Sequence, residues 1–292
     1  MAVVGAGNGD DLPLRRIARR AGSVTLIDLD PLAARRARQR LGRAERAKVD
    51  VIGHDVTEGD GDAIVLATVT ADDAAKATLS VDRTTGGATE TGALGVDWTA
   101  HDVERGAALS VDQTPGDVEQ DAADAADPPR FKVGSGREDR PLPGAPYDLV
   151  LGDLFYSQLL YPALVDLGVD PDRRAETLVR HAPPLTRAVV ARLHASAPRV
   201  VHVHDPIAWW DGHVQPVALD EILAAATGPG PETALALAAR GVGPHESDPR
   251  AALVALGLSP TTTALWRWPF ASGVDYLDCA TLALGDAAPL IT

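Results

Sequence analysis

MAVVGAGNGDDLPL, residues 1–14 of the chain, carries the clearest indication of its fold. A short apolar run is followed by Gly5, Gly7 and Gly9 at every second position, and then by two aspartates. An apolar run that ends in glycines and leads into a helical pattern is typical of a strand, a tight turn and a helix N-terminus. Since only glycine lets a ligand approach the backbone closely, these glycines are predicted to bind a nucleotide or nucleoside.

Strand and helix patterns continue to alternate beyond this stretch. Strands are predicted at 2–6, 23–28, 48–55, 147–154, 199–205, 262–270 and 275–284. Helices are predicted at 11–22, 30–42, 172–196, 218–226, 231–240 and 248–257. Alternation with short connections predicts an α/β fold with a doubly wound, Rossmann-like sheet that is mostly parallel. The short turn between the last two strands predicts an antiparallel C-terminal strand pair at the edge of that sheet.

The middle of the chain differs from the rest in composition. Residues 58–140 hold 18 acidic and 7 basic residues, and so contribute −11 of the net charge of −14. The related segments LSVDRT, LGVDWT and LSVDQT recur there every 15 residues, beginning at residue 79. We therefore predict an α/β domain of residues 1–57 and 141–292, interrupted by an acidic, low-complexity insert at 58–140. The composition favours a mobile excursion for this insert over a small β-meander.

The overall composition excludes several classes of protein. A net charge of −14 and a pI near 4.9 argue against binding to nucleic acid or to anionic membranes. The single cysteine, Cys279, fits a reducing compartment. No apolar run reaches the roughly 18–20 residues of a membrane span, and no leader pattern is present. We expect a cytoplasmic protein, and the sequence indicates no oligomeric state.

The acids near the glycines indicate which ligand is favoured. Asp10 occupies the position of the third small residue in a dinucleotide-binding turn. Two carboxylates there, Asp10 and Asp11, would repel a pyrophosphate by a few kcal/mol, whereas they favour cationic groups. S-adenosylmethionine carries a sulfonium, an ammonium and no phosphate, and is the predicted cofactor.

Two further acids end predicted strands on the same side of the sheet. Asp28 ends the second strand, where a carboxylate can accept hydrogen bonds from both ribose hydroxyls. Asp55 ends the third strand and is placed to accept from an adenine amino group. Acids at strand ends also cap the following segment, and for Asp55 both interpretations stay open.

Several segments together resemble class I S-adenosylmethionine-dependent methyltransferases. They are VVGAGNGDDLPL, VTLIDLDPLA, GHDVT, DLVLGDLFYSQLLYP and the terminal WRWPF and YLDCATLAL, and the likeness is strongest to a poorly characterised bacterial group with a GAGN-type first motif. The resemblance covers residues 2–57 and 145–285. It implies a seven-stranded sheet with an antiparallel last strand. Family members usually begin with a helical segment that covers the cofactor, whereas this chain begins at its first strand.

The resemblance also implies site residues. Those for the cofactor are Gly5, Gly7 and Gly9 around the methionine moiety, Asp28 at the ribose, Asp55 near the adenine, and Gly152 with Asp153 along the cleft. Methyl transfer needs a general base only when the acceptor is a hydroxyl or an ammonium group. Asp153, His204 and Asp205, at the ends of the fourth and fifth strands, are the candidate catalytic residues, and the sequence does not choose among them. No metal site is predicted, because no third oxygen ligand accompanies the two aspartates.

The predicted function is methyl transfer from S-adenosylmethionine to a small-molecule acceptor. Nucleic acid is not the expected substrate, because GDLF stands where nucleic-acid amino-methyltransferases carry an N/D-P-P-Y/F turn. One alternative is a non-catalytic, methyltransferase-like module that binds a basic partner through its acidic repeats. The other is an NAD-dependent oxidoreductase, which would need a small residue in place of Asp10.

Overall fold

The structure of the protein is a computed structural model that describes residues 1–10, 12–83, 140–210 and 214–285. The strands in these ranges are β1 Ala2–Val4, β2 Val24–Asp28, β3 Val49–Gly53, β4 Val150–Asp153, β5 Arg199–Trp210, β6 Pro260–Ala271 and β7 Val274–Leu284. The helices are α1 Leu14–Arg20, α2 Pro31–Gln39, α3 Arg43–Arg46, α4 Asp60–Arg83, α5 Tyr161–Asp166, α6 Pro171–Ser196, α7 Leu219–Thr227, α8 Pro231–Ala238 and α9 Pro249–Ala255. Within the described ranges, no helix is both long enough and apolar enough to cross a bilayer.

The strands form one sheet in the order β3-β2-β1-β4-β5-β7-β6. β1 lies between β2 and β4 and runs parallel to both, and β3 and β5 extend the parallel part on either side. β7 pairs antiparallel with β5 and with β6, which forms the edge. The predicted α/β sheet, mostly parallel with an antiparallel C-terminal pair, is confirmed.

Helices cover both faces of the sheet, and the apolar residues of β1 alternate between them. Val3 packs with the apolar residues of α1 and α2 on one face. Ala2 and Val4 pack on the other face with residues of α6 and α9. Because a central parallel strand is buried on both sides, its sequence is a continuous apolar run rather than an alternating one. This explains why all three residues of β1 are apolar.

Two helix starts follow from their local sequence. The Asp30 side chain accepts hydrogen bonds from the backbone N–H groups of Leu32 and Ala33 at 2.9 and 3.1 Å, which makes it the N-cap of α2. Asp248 caps α9 in the same way, accepting from Arg250 N at 2.7 Å. Each cap satisfies backbone donors that a helix leaves without an internal partner.

The beginning of the predicted insert belongs to the packed domain. α4 begins two residues after residue 58, and its Ile64 and Val65 are buried against apolar residues of α5 and α6. Residues 79–83, in the first repeat, are helical rather than extended. Averaging the charge over residues 58–140 therefore concealed a helix, α4, whose first turns pack against the rest of the domain. Residues 84–139, with the other two repeats, lie outside the described residues.

Candidate functional site

A cavity of about 360 Å³ opens where β1, β2, β3 and β4 end. Its walls are the glycine turn after β1, the last residues of β2, the turn after β3, and the turn after β4. Ligands of open α/β sheets bind outside the carboxyl ends of the strands, where neighbouring strands connect in opposite directions. The position between β1 and β4 is such a point, and the volume is within the range of small-molecule sites.

The three predicted glycines lie in this cavity wall, with φ angles of 77°, 47° and 66° for Gly5, Gly7 and Gly9. A Cβ on Gly5 would lie 2.8 Å from the Asp153 carbonyl oxygen and 2.9 Å from the Phe155 side chain. A Cβ on Gly9 would lie 3.0 Å from the Ala37 Cβ. Gly7 has no such neighbour within 4 Å. Gly5 and Gly9 therefore permit close packing, while Gly7 leaves space beside the backbone.

Asp28 fixes the shape of the glycine turn and lines the cavity. Its Oδ2 accepts a hydrogen bond from Gly7 N at 2.7 Å, and its Oδ1 accepts one from Asp30 N at 2.8 Å. Each carboxylate oxygen has a second lone pair, so these bonds leave acceptor capacity for a ligand.

Asp55 also lines the cavity, but its carboxylate is engaged by its own turn. Oδ1 accepts from Thr57 N at 2.8 Å, and Oδ2 accepts from Gly59 N at 2.6 Å. The Thr57 hydroxyl lies 2.8 Å from both oxygens. The structure thus shows the capping contacts of Asp55, and its contact with an adenine stays a prediction.

The charged side chains among the described lining residues of the cavity are all acidic. Among its described residues are five aspartates and no lysine or arginine: Asp10, Asp28, Asp55, Asp62 and Asp153. Asp10 forms an ion pair with Arg40 at 2.5 Å, with both side chains exposed. Asp11 lies outside the described residues. A concave site lined by acids raises the local concentration of cationic ligands and opposes the entry of phosphates.

Of the candidate bases, Asp153 is among the described lining residues of the cavity and Asp205 is not. Asp153, at the end of β4, is buried in its wall. Asp205 accepts a hydrogen bond from the Ser157 hydroxyl at 3.2 Å, and Ser157 precedes the lining residue Gln158. Burial raises the pKa of Asp205 to about 6, against the smaller effect of its hydrogen bonds. The register of β5 shifts between His204 and Ile207, so Asp205 lies in an irregular segment of the kind that redirects side chains at sites.

Gly152 and His204, predicted as site residues, are absent from the described cavity lining. A Cβ on Gly152 would lie 2.8 Å from the Tyr156 hydroxyl, so this glycine makes room for a buried side chain. His204 Nε2 lies 3.4 Å from the carboxylate of Asp248, at the start of α9. Burial lowers the pKa of His204 to about 4, which keeps its ring neutral near pH 7. A ring with this pKa is a weak base, and since His204 is not among the described lining residues, Asp153 is better placed than His204.

A buried chain of three polar side chains lies under the turn after β4. The Tyr156 hydroxyl is 2.6 Å from His202 Nδ1, and His202 Nε2 is 3.1 Å from His194 Nε2. Burial raises the pKa of Tyr156 and lowers the pKa of His202, so both are neutral. Each of the two contacts then shares one hydrogen-bonding proton, and the tautomer of His202 determines which atom donates it. The sequence does not reveal the contact between His194 and His202, because packing of α6 against β5 leaves no local pattern.

We expect Tyr156→Phe to lower the free energy of unfolding by about 1–2 kcal/mol, since it leaves the buried Nδ1 of His202 without its hydrogen-bond partner. Urea denaturation followed by circular dichroism measures the change. Tyr161→Phe is the control, because Tyr161 is 37% exposed. Equal stability of Tyr156→Phe and the wild type would contradict this account.

The sequence also missed several residues that line the cavity. His54, Thr57 and Asp62 belong to the segment after β3, where only Asp55 was singled out. GHDVT is one of the segments on which the family resemblance rests, so the sequence indicated where this part of the cavity wall lies. Leu154 also lines the cavity and has a φ of 51°. This left-handed conformation is rare for leucine, and no pattern in the sequence predicts it.

Known proteins were compared with the chain as a whole. No family model matches it, and neither does any curated protein. Among solved structures, LepI in complex with S-adenosylmethionine matches with a TM-score of 0.37 and 10% identity, over 97% of this chain and 42% of LepI. A methyltransferase from Aquifex aeolicus that depends on S-adenosylmethionine matches with a TM-score of 0.34 and 11% identity, over 97% of this chain and 80% of that one. The methyltransferase domain of bacterial CtHen1 matches with a TM-score of 0.33 and 8% identity, over 96% and 88%. The chain thus spans less than half the length of LepI.

Proposed function

We propose that the protein transfers a methyl group from S-adenosylmethionine to a small-molecule acceptor. One observation carries the proposal: a cavity formed on a glycine turn has five aspartates and no lysine or arginine among its described lining residues. S-adenosylmethionine offers such a lining a sulfonium and an ammonium group. NAD would place a pyrophosphate there, which the carboxylates repel.

The residues present fit this cofactor. Gly7 leaves space beside the backbone, and Asp28 retains acceptor capacity suited to ribose hydroxyls. The turn after β3, which includes Asp55 and Thr57, would hold the adenine, and Asp153 would lie at the reacting end. When bound, the cofactor supplies a methyl group already activated by the positive charge on sulfur. The chain then contributes mainly by positioning the acceptor and excluding water.

Asp205 is the base that we propose for an acceptor with a proton to lose. A carboxylate with a pKa of about 6 is ionised at neutral pH, yet it is more basic than an ordinary aspartate. The hydrogen bond from Ser157 orients it beside the turn that borders the cavity. Asp153 is the second candidate, because it lines the cavity itself.

Isothermal titration with S-adenosylmethionine, S-adenosylhomocysteine and NAD tests the proposal. We expect micromolar dissociation constants for the first two and no binding of NAD. Asp28→Ala should weaken binding at least tenfold, because it removes both the ribose acceptor and the anchor of Gly7 N. Asp50→Ala is the control: it removes the same charge from an exposed position outside the cavity.

Each contrary outcome favours a different alternative. Binding of NAD in preference to S-adenosylmethionine would indicate an oxidoreductase. Binding of S-adenosylmethionine without methyl transfer to any amine, hydroxyl or thiol acceptor would indicate a binding module. No binding of any of the three by the folded protein would overturn the proposal.

A further inference from the structure

A buried arginine lies behind one wall of the cavity. Arg192, near the end of α6, has a side chain that is only 1% exposed. Its neighbours on the helix, Val190 and Leu193, pack in the main apolar core. An arginine is almost never this deeply buried unless its charge is satisfied by specific partners.

Two partners of the Arg192 side chain belong to the turn after β3. Its Nη1 donates a hydrogen bond to the Val56 carbonyl oxygen. Its Nε lies 3.9 Å from the carboxylate of Glu58, which also forms an ion pair with Arg140 at 3.3 Å. A single helix side chain therefore connects α6 to two positions of this turn, and one of them, Val56, lines the cavity.

The turn held in this way has a conformation that needs support. Glu58 has a φ of 54° and Gly59 a φ of 86°, both in the left-handed region that a glutamate rarely adopts. The Asp55 carboxylate holds the turn from inside, through Thr57 N and Gly59 N. Arg192 contacts the same turn through Val56 and Glu58.

Stability alone does not account for a charged pair at this place. Replacing a buried ion pair with apolar side chains of similar size is often neutral or stabilising. Apolar residues would therefore serve the core of α6 as well as Arg192 does. What they could not do is bond the Val56 carbonyl oxygen and attract Glu58, and so fix the turn.

We propose that Arg192 is a positioning residue for the ligand cavity, which acts by setting the conformation of residues 55–59. The identity of the ligand rests on the proposed function, but the effect on the turn does not. A double substitution, Arg192→Met with Glu58→Leu, removes the pair together and leaves no buried charge without a partner, because Arg140, which also pairs with Glu58, is exposed to solvent. Arg180→Met with Glu176→Leu is the matched control, since it removes an exposed ion pair of 2.8 Å that includes an arginine of the same helix.

Two measurements on the full chain separate positioning from general stability. In the protein without ligand, hydrogen exchange of the peptide covering residues 54–61 should be at least tenfold faster in Arg192→Met/Glu58→Leu than in the wild type. Affinity for S-adenosylhomocysteine, measured by titration, should fall at least tenfold, while the thermal midpoint stays within a few degrees. The control pair should change neither quantity.

The outcomes distinguish this inference from the proposed function. Wild-type exchange in residues 54–61 of the folded double variant overturns the inference, whether or not any ligand binds. If exchange is faster in the double variant but the wild-type protein does not bind S-adenosylhomocysteine, the inference about the turn is supported and the proposed function is overturned. If the double variant does not fold, Arg192→Lys replaces it: faster exchange in the turn at an unchanged thermal midpoint supports the inference, and wild-type exchange overturns it.

Discussion

Gly5→Ala is expected to lower the free energy of unfolding by about 3 kcal/mol. Part of the loss comes from an alanine at a φ of 77°, since the left-handed region costs an L-residue about 1–2 kcal/mol. The rest comes from the new Cβ, 2.8 Å from the carbonyl oxygen of Asp153 and 2.9 Å from Phe155. Overpacking of this kind typically costs about 1–3 kcal/mol. Urea denaturation measures the effect.

Gly7→Ala is the matched control for this prediction. It introduces the same methyl group at a φ of 47°, but no neighbour lies within 4 Å of the new Cβ. We therefore expect a loss of only about 1 kcal/mol, from the backbone conformation alone. Equal losses from the two substitutions would show that the close approach between β1 and β4 does not limit Gly5.

Acid is expected to destabilise the protein strongly between pH 6.5 and pH 4, through histidines buried in their neutral form. Burial lowers the pKa of His204 and of His194 to about 4, and lowers that of His202 well below its usual value. The unfolded chain then binds more protons than the folded chain in this range. Stability is therefore complete above pH 6.5 and is lost as the pH falls. His204 alone should account for about 2 kcal/mol at pH 5.

Asp205 opposes this trend without reversing it. Burial raises its pKa to about 6, so the folded state binds its proton more readily than the unfolded state does. Protonation of Asp205 therefore adds to the free energy of unfolding as the pH falls from 6 towards 3.8, whereas protonation of His194, His202 and His204 in the unfolded chain lowers it. Thermal midpoints at pH 7.5 and pH 5 measure the balance. His204→Asn should reduce the difference, the exposed His245→Asn should not, and equal midpoints at both values of pH would contradict the prediction.

The sequence predicted what depends on local patterns. Asp30 before Pro31 marked the start of α2, and the short turn between the last two strands marked their antiparallel pairing. The ends of parallel strands share one edge of the sheet, so Asp28, Asp55 and Asp153 could be assigned to the same cavity before its shape was known.

What the sequence missed depends on contacts between distant segments. His204 and Asp205 are adjacent in the chain, and only the register shift in β5 and the packing of α9 show that they differ in surroundings. The position of Arg192 behind the turn after β3 follows from the packing of α6, which no spacing reveals. The start of α4 was hidden because charge was averaged over a long window, although Ile64, Val65 and Thr68, all buried, have the i, i+3 and i+4 spacing of one helix face.

The central position of β1 has a consequence for how the molecule reaches its native state. Residues 2–4 pair on one side with β2, which is near in sequence, and on the other with residues 150–152, which become available only after the whole intervening segment has been synthesised. Pairing of strands that are distant in sequence costs loop-closure entropy before the new contacts stabilise it. We therefore expect docking of β4 onto β1 to be a late folding event. Because the cavity spans this junction, a ligand binds only after docking and holds the two halves of the sheet together. At a hundred times its dissociation constant, such a ligand adds about 2.7 kcal/mol to the stability of the native state.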